Sequence, residues 1–328
     1  MRAVRWGVMS TAGIATGKVI TGMQAAGRSE VLAIASRDEA RARAVAASLG
    51  IPRAHGSYDA LLADPEVDAV YLPLPNHLHR EWALRAIAAG KHVLCEKPLA
   101  LTAAEAQEMA DAADRAGVLL MEAFMYRLHP SWAAARELVA SGRIGRLLAV
   151  DSWFSYYNDD PANIRNIRAF GGGAIYDIGC YSINLSRMLF GAEPVRVQAA
   201  ITRSERTGCD VLASGILEFD NGVATFSCST LMEPEQRVDI YGSEGRIHIP
   251  IPFNIPPDLP TSIHLISGGE PPVDPGIEPF EFAARDPYAA ETEALAAAIL
   301  DGGPAPTPPA DAVANLRVIE AVFAAGAG

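Results

Sequence analysis

Hydrophobic and polar positions follow two rhythms along this chain. In the first, short apolar runs (Ala3 to Met9, Val31 to Ala35, Val67 to Leu72, His92 to Cys95 and Val118 to Met121) read as buried strands. Between them, apolar residues recur at helical spacing. Ile14, Val19, Ile20 and Met23 follow the first strand, and further helices are expected from about Asp38 to Leu49, His77 to Ala89 and Ala103 to Arg115. Continuous apolar strands alternating with amphipathic helices predict an α/β fold with a doubly wound parallel sheet covered on both faces. A bridging helix from about Ser131 to Ala140 leads to the second rhythm. Strands are expected at Leu147 to Tyr157, Val195 to Arg203, Leu212 to Phe219, Ala224 to Thr230, Arg237 to Tyr241 and Arg246 to Ile249, with Asn221-Gly222 as a hairpin signal. A helix from about Ala174 to Leu189 interrupts them, Pro250 to Pro279 reads as an irregular excursion, and helices from about Tyr288 to Leu300 and Ala310 to Ala324 close the chain.

The 328 residues suit two domains, a dinucleotide-binding one over 1–122 and a substrate-binding and oligomerisation one over 123–328. A net charge of -12 argues against nucleic acid or an anionic membrane as the main partner, so an anionic ligand has to be held by local groups. No apolar run reaches the roughly 18 residues of a membrane span. Cys95, Cys180, Cys209 and Cys228 are far apart and show no metal-binding or disulfide spacing. No metal is expected, and a reducing cytoplasm suits the chain.

The strand-to-helix turns carry the candidate chemistry. Ser10, Thr11, Ala12, Gly13 and Ile14 follow the first strand. There, small residues let backbone N–H groups approach a pyrophosphate, although the glycines of a G-x-G-x-x-G loop are replaced and Gly13 sits one place late. After the second strand, Ser36, Arg37 and Arg41 offer two guanidinium groups to a ribose 2′-phosphate, which favours NADP. Ser36 and Glu39 can instead form a capping box, and Asp38 keeps NAD possible. The fourth strand ends in Pro73-Leu74-Pro75-Asn76, with Asn76 as an expected helix cap. His77 and His79 are two apart on a helix and do not share a face, so they suggest no metal site, while His79 is a secondary cofactor-side candidate.

The fifth apolar strand runs straight into Glu96, Lys97 and Pro98, delivering a lysine to a strand's carboxyl end, where ligands bind in open α/β sheets. Further on, Asp177, Tyr181 and Asn184 fall on one helical face behind the glycine run Gly171 to Gly173. A carboxylate, a phenol and an amide on one face suit a polyhydroxylated substrate, although a structural Asp and a core Tyr have the same pattern.

In this order and spacing, the first turn, Ala35-Ser36-Arg37, Pro75 to His79, Glu96-Lys97-Pro98 and the glycine run with Asp177 and Tyr181 resemble the Gfo/Idh/MocA oxidoreductases. Glu122 to Arg127 and Asp160 to Arg165 are similar to the branch holding NADP-dependent D-xylose dehydrogenases, dimeric dihydrodiol dehydrogenases and glucose-fructose oxidoreductase. The resemblance implies a Rossmann domain and then an α/β domain built on a large, mostly antiparallel sheet, whose open face suits a homo-oligomer. It also implies that Glu96-Lys97-Pro98 lies beside the nicotinamide, commonly with a cis peptide before the proline. Tyr181 stands where many members have a histidine, which points away from inositol.

The expected reaction is oxidation of a sugar hydroxyl, C1 of an aldose, with hydride passing to NADP. Tyr181 or Lys97 takes the proton, and Asp177 holds a neighbouring hydroxyl. Asn163, Phe154, Tyr157 and Asn184 are further substrate candidates. The same residues suit a reductase of a dicarbonyl sugar or a dihydrodiol dehydrogenase, while a non-catalytic dinucleotide sensor has no use for both Lys97 and Tyr181.

Overall fold

The computed structural model describes residues 2–268 and 276–327. Two compact units are present: Met1–Met125 with Asp286–Leu316, and Tyr126–Arg285 with Arg317–Gly328. The first unit thus includes a segment, Asp286–Leu316, that follows the second unit's strands in the chain.

The first unit is built on six parallel strands, β1 Val4–Met9, β2 Ser29–Ala35, β3 Arg53–His55, β4 Ala69–Leu72, β5 His92–Glu96 and β6 Leu120–Ala123, in the order β3-β2-β1-β4-β5-β6. The order reverses between β1 and β4, which is where an open sheet of this kind forms its ligand crevice. The helices are α1 Ile20–Ala25, α2 Glu39–Leu49, α3 Tyr58–Leu62, α4 His79–Ala88, α5 Ala103–Ala116 and, much later in the chain, α8 Pro287–Asp301. β3 and α3, of three and five residues, are too short for their periods to repeat clearly in the sequence. Two caps also differ from expectation. Asp38 caps α2 by accepting from Arg41 N, while Ser36 Oγ accepts from Asp38 N. Asn76 opens a 3-10 turn, Asn76–Leu78, and does not cap α4. The Lys97–Pro98 peptide is cis.

The second unit contains α6 Pro130–Ala140, α7 Cys180–Phe190 and the strands β7 Leu147–Tyr157, β8 Arg196–Arg203, β9 Asp210–Phe219, β10 Gly222–Ser229, β11 Leu231–Gly242, β12 Arg246–Ile249, β13 Thr261–Ser267 and β14 Gly276–Phe282. They form one sheet, β14-β13-β12-β11-β7-β10-β9-β8, antiparallel except between β7 and β10. The expected irregular excursion is therefore ordered in part, as β13 and the start of β14. Pro279 disguised the second of these, yet it sits on the sheet's edge strand, where a missing donor is tolerated. Residues 269–275 of that stretch lie outside the described residues. The hairpin at Asn221-Gly222 forms, with Phe219 opposite Gly222. Gly222 is a strand residue whose missing Cβ leaves room for the Leu148 carbonyl. The last helix, α9 Pro309–Ala325, runs across the boundary between the two units.

Period-2 alternation on β7 fixes the helix above it. Ser152, Phe154 and Tyr156 share a face, and each meets one helical residue: Ser152 Oγ lies 2.7 Å from Ser182 Oγ, Phe154 packs on Tyr181, and Tyr156 bonds to Asp177. The glycine run lets that helix begin. Ile175 N donates at 2.7 Å to Oδ2 of the buried Asp210 on β9. Gly173 has φ +129, and a Cβ there would fall on Asp210 Oδ1. A Gly173→Ala variant is therefore expected to lose about 3 kcal/mol or more of unfolding free energy in a denaturant titration. Gly13→Ala, whose Cβ meets nothing within 4 Å, is expected to unfold like the wild type.

Candidate active site

On the first unit, Ser10 Oγ accepts from Ala12 N at 3.0 Å and so shapes the turn that glycine would otherwise make. The helix then opens with a π turn over Ala15–Val19, closed by Ile20 N–H bonding to Ala15 O. Thr11 is buried, Gly13 is exposed, and the space around a Gly13 Cβ is open. Arg41 reaches back across the turn, Nη2 lying 3.4 Å from Thr11 O, and exposed Arg37 stands one helical turn away. Small residues at an open turn, an uncovered helix start and two nearby guanidinium groups fit a dinucleotide with a phosphate on its ribose.

The lysine side of this unit is more deeply built. Lys97 and Glu96 are half-buried at the end of β5. Tyr71 of β4, wholly buried, donates through Oη to Glu96 Oε1 at 2.5 Å. Leu74 is buried, and Pro75 and Asn76 are half-buried. His79 was expected near the cofactor, but it is fully buried, and both of its ring nitrogens are spent on backbone carbonyls. It shapes the turns and offers no ring atom to a ligand.

On the second unit, Asp177 and Tyr181 do share a face, and the helix opens with another π turn, Ile175–Gly179. Asp177 Oδ2 accepts from Tyr156 Oη at 2.5 Å and from Arg165 Nε at 2.9 Å. Asp177 thus presents the Arg165 guanidinium, whose side chain is 42% exposed. Burial, then Asp177, pushes the Tyr156 phenol well up, so it stays protonated and donates. Tyr181 sits among aromatic rings: Phe253 at 5.3 Å, Phe154 at 5.7 Å and Tyr126 at 5.8 Å between centroids. Phe154 stacks on Phe253 at 5.0 Å, which gives the phenol a stiff apolar surround.

Three substrate candidates take other roles. Asn184 is fully buried, its Oδ1 accepting from Tyr126 Oη at 2.7 Å and Arg127 Nη1 at 3.2 Å. Asn163 caps a 3-10 turn, Ile164–Asn166, by accepting from Arg165 N. Tyr157 is 62% exposed and bonds to Asp159, because three residues from Phe154 on a strand lies on the opposite face. Tyr156, two residues from Phe154, is the aromatic that the same alternation would have found. Arg165, Tyr126, Arg127 and Phe253 carried no motif beyond their resemblance or their place in an apparent loop.

Among the described residues, no cluster of His, Cys, Asp and Glu could hold a metal ion, and no helix is long and apolar enough to cross a membrane. A buried carboxyl stands out instead. Glu291 of α8 is 2% exposed, and burial, then the nearby Glu96, raises its pKa well above 4.5. The folded chain therefore keeps a proton that the unfolded chain releases above that value, and Glu291 costs stability increasingly as pH rises from there. Glu291→Gln is expected to raise Tm relative to wild type, with a gain that grows between about pH 5 and pH 8. An equal effect at both ends would show that Glu291 is not protonated in the folded chain.

Comparison with known proteins matches residues 4–124 to an oxidoreductase family with an NAD-binding Rossmann fold and residues 132–248 to the GFO/IDH/MocA C-terminal domain. A D-xylose 1-dehydrogenase (NADP(+)) from Haloferax volcanii is 41% identical over 97% of this chain and 96% of its own length. Trans-1,2-dihydrobenzene-1,2-diol dehydrogenase from Sus scrofa is 35% identical over 78% of this chain and 77% of its own. The crystal structure of KijD10, a 3-ketoreductase from Actinomadura kijaniata in complex with NADP and TDP-benzene, superposes with a TM-score of 0.91 at 30% identity, covering 99% of this chain and 98% of that one. With its Rossmann unit and mostly antiparallel second sheet, this chain belongs to the Gfo/Idh/MocA family of NAD(P)-binding oxidoreductases.

Proposed function

We propose that the protein is an NADP-dependent dehydrogenase that oxidises a sugar hydroxyl, most directly C1 of an aldose such as D-xylose or D-glucose. The observation that carries this reading is Tyr181, a phenol fixed among aromatic rings on the helix that also bears Asp177 and its guanidinium partner Arg165. The buried rings hold the phenol in place, and the half-exposed Arg165 guanidinium offers hydrogen bonds suited to a sugar's hydroxyls. Support for the substrate class and the cofactor comes from the Haloferax relative, named for D-xylose and NADP.

NADP, when bound, supplies the hydride acceptor. Tyr181 takes the proton of the reacting hydroxyl. Lys97 is the other group that can take this proton or polarise the reacting oxygen. Arg165, aimed by Asp177, holds a neighbouring hydroxyl, and Asp177 acts on the sugar through that guanidinium. Arg37 and Arg41 hold the 2′-phosphate.

The opposite direction, reduction of a ketone or dicarbonyl sugar, is favoured by the ketoreductase named for the superposed structure, and dihydrodiol oxidation by the Sus scrofa relative. Progress curves with pentoses, hexoses, dihydrodiols and dicarbonyl sugars, run with NADP and NADPH, separate the three.

A homo-oligomer through the second sheet, in a reducing cytoplasm, completes the proposal. Strand register places Ile216, Thr225, Asp151, Asp239 and Tyr241 on one sheet face, and Ile216 and Tyr241 are exposed there. The four cysteines are buried thiols outside any disulfide among the described residues.

Lys97→Met and Tyr181→Phe are each expected to lower kcat with an aldose by about a hundredfold or more. Unchanged kcat in both would refute the proton-handling roles. Arg37→Ala is expected to raise the KM for NADP about tenfold and leave that for NAD nearly unchanged, whereas equal effects on both cofactors would sink the phosphate clamp.

A further inference from the structure

Two strand-end turns of the first unit meet at one buried imidazole. His79 sets Nε2 2.8 Å from the Leu74 carbonyl oxygen and Nδ1 2.9 Å from the Pro98 carbonyl oxygen. A neutral imidazole has a single N–H. It can donate to one of these carbonyls and must turn a lone pair on the other. The peptide that presents the Pro98 carbonyl is also held at its opposite end, where its N–H, that of Leu99, donates to Glu122 Oε1 at 2.7 Å. Glu122 lies on β6 and is 2% exposed. One amide, the first beyond Lys97-Pro98, is thus gripped on its N–H by a carboxyl and on its C=O by an imidazole.

We propose that Glu122 and His79 are a carboxylate and an imidazolium split across the Pro98–Leu99 peptide, and that this buried pair positions Lys97 by fixing the turn that follows it. The proposal rests on the role given to Lys97 above. A carboxylate accepting from the N–H and a cation donating to the C=O polarise the amide in the same sense, so each strengthens the other's hydrogen bond. A buried cation needs a nearby opposite charge, and one peptide away Glu122 supplies it.

The charged and titratable surroundings are few. Burial, with Lys97 and His77 acting in the same sense, holds the His79 pKa below its ordinary value despite the two carbonyl contacts that pull it up. Against this, a neutral ring would turn a lone pair on a carbonyl oxygen at 2.8 or 2.9 Å, a repulsion that only a second N–H removes. Cys95 faces Glu96 and Glu122, and burial, then those carboxyls, keeps its thiol protonated. The second hydrogen bond of His79 extends the device. By holding the Leu74 carbonyl, it ties the turn after β4 to the turn after β5, so the two cofactor-side loops share one anchor.

The full-length protein labelled with ¹⁵N-histidine tests this without any variant, the His79 signals being assigned through their contacts with Leu74 and Pro98. Both ring nitrogens of His79 are expected to carry a proton from about pH 6 to pH 8. A bare ring nitrogen in that range overturns the split pair, whether or not any sugar is turned over. In Glu122→Gln, one nitrogen is expected to lose its proton while kcat with an aldose falls about tenfold and the aldose KM moves less than about threefold. A deprotonated His79 in this variant with wild-type kcat overturns the positioning role. A wild-type enzyme inactive on every sugar and dihydrodiol offered would count against the proposed function and leave the nitrogen signals as a separate result.

Discussion

Where β5 stops, the backbone leaves the ladder of parallel strands and must satisfy its polar groups without water. That requirement governs the lysine side of the molecule. Lys97 and Pro98 end the strand, and the next peptide is buried, so its N–H and C=O need partners from elsewhere. Glu122 at the end of the neighbouring strand and His79 at the start of the preceding helix supply them. Tyr71 does the same for the Glu96 side chain. A lysine carried on a surface loop would sample many positions; here its main chain is held on two sides by groups that are themselves buried.

The second unit solves a similar problem by a different route. Its helix approaches the sheet closely because Gly172 and Gly173 have no side chains to obstruct Arg165 O and Asp210. From there, helical spacing on one side and strand alternation on the other bring residues together rung by rung. Asp177 meets Tyr156 and Tyr181 meets Phe154, so the candidate groups stand on a helix and a strand that hold each other. Rigid elements hold such groups more tightly than loops do.

Much of this was legible in the chain. The six-strand sheet was visible in its apolar runs except for β3, and Lys97, Asp177 and Tyr181 were visible through strand ends and helical spacing. What escaped notice had physical reasons. Tyr157 lies on the opposite face of β7 from Phe154, whereas Tyr156, two residues away, shares that face. Asn184 lay on the correct helical face, but too far down the helix to escape burial, and it became an anchor for Tyr126 and Arg127. His79 gave no sign in the sequence of its two carbonyl partners, which come from loops 5 and 19 residues away. Glu291 looked like a polar position on a closing helix, and only the return of that helix to the first unit reveals it as a buried acid.

That return bears on how the chain is made. Six strands of the first unit are complete by Ala123, yet α8, which packs on α1, β1 and β2, begins at Pro287. Gly22 is a glycine to let Tyr288 lie against it, and Arg28 is joined through its two terminal guanidinium nitrogens to Asp301. A nascent chain therefore carries α1, β1 and β2 without their α8 cover while the entire second sheet is synthesised. The unit that begins first receives this helix only after the second sheet has been synthesised, so the surface α8 covers has to remain soluble in the meantime.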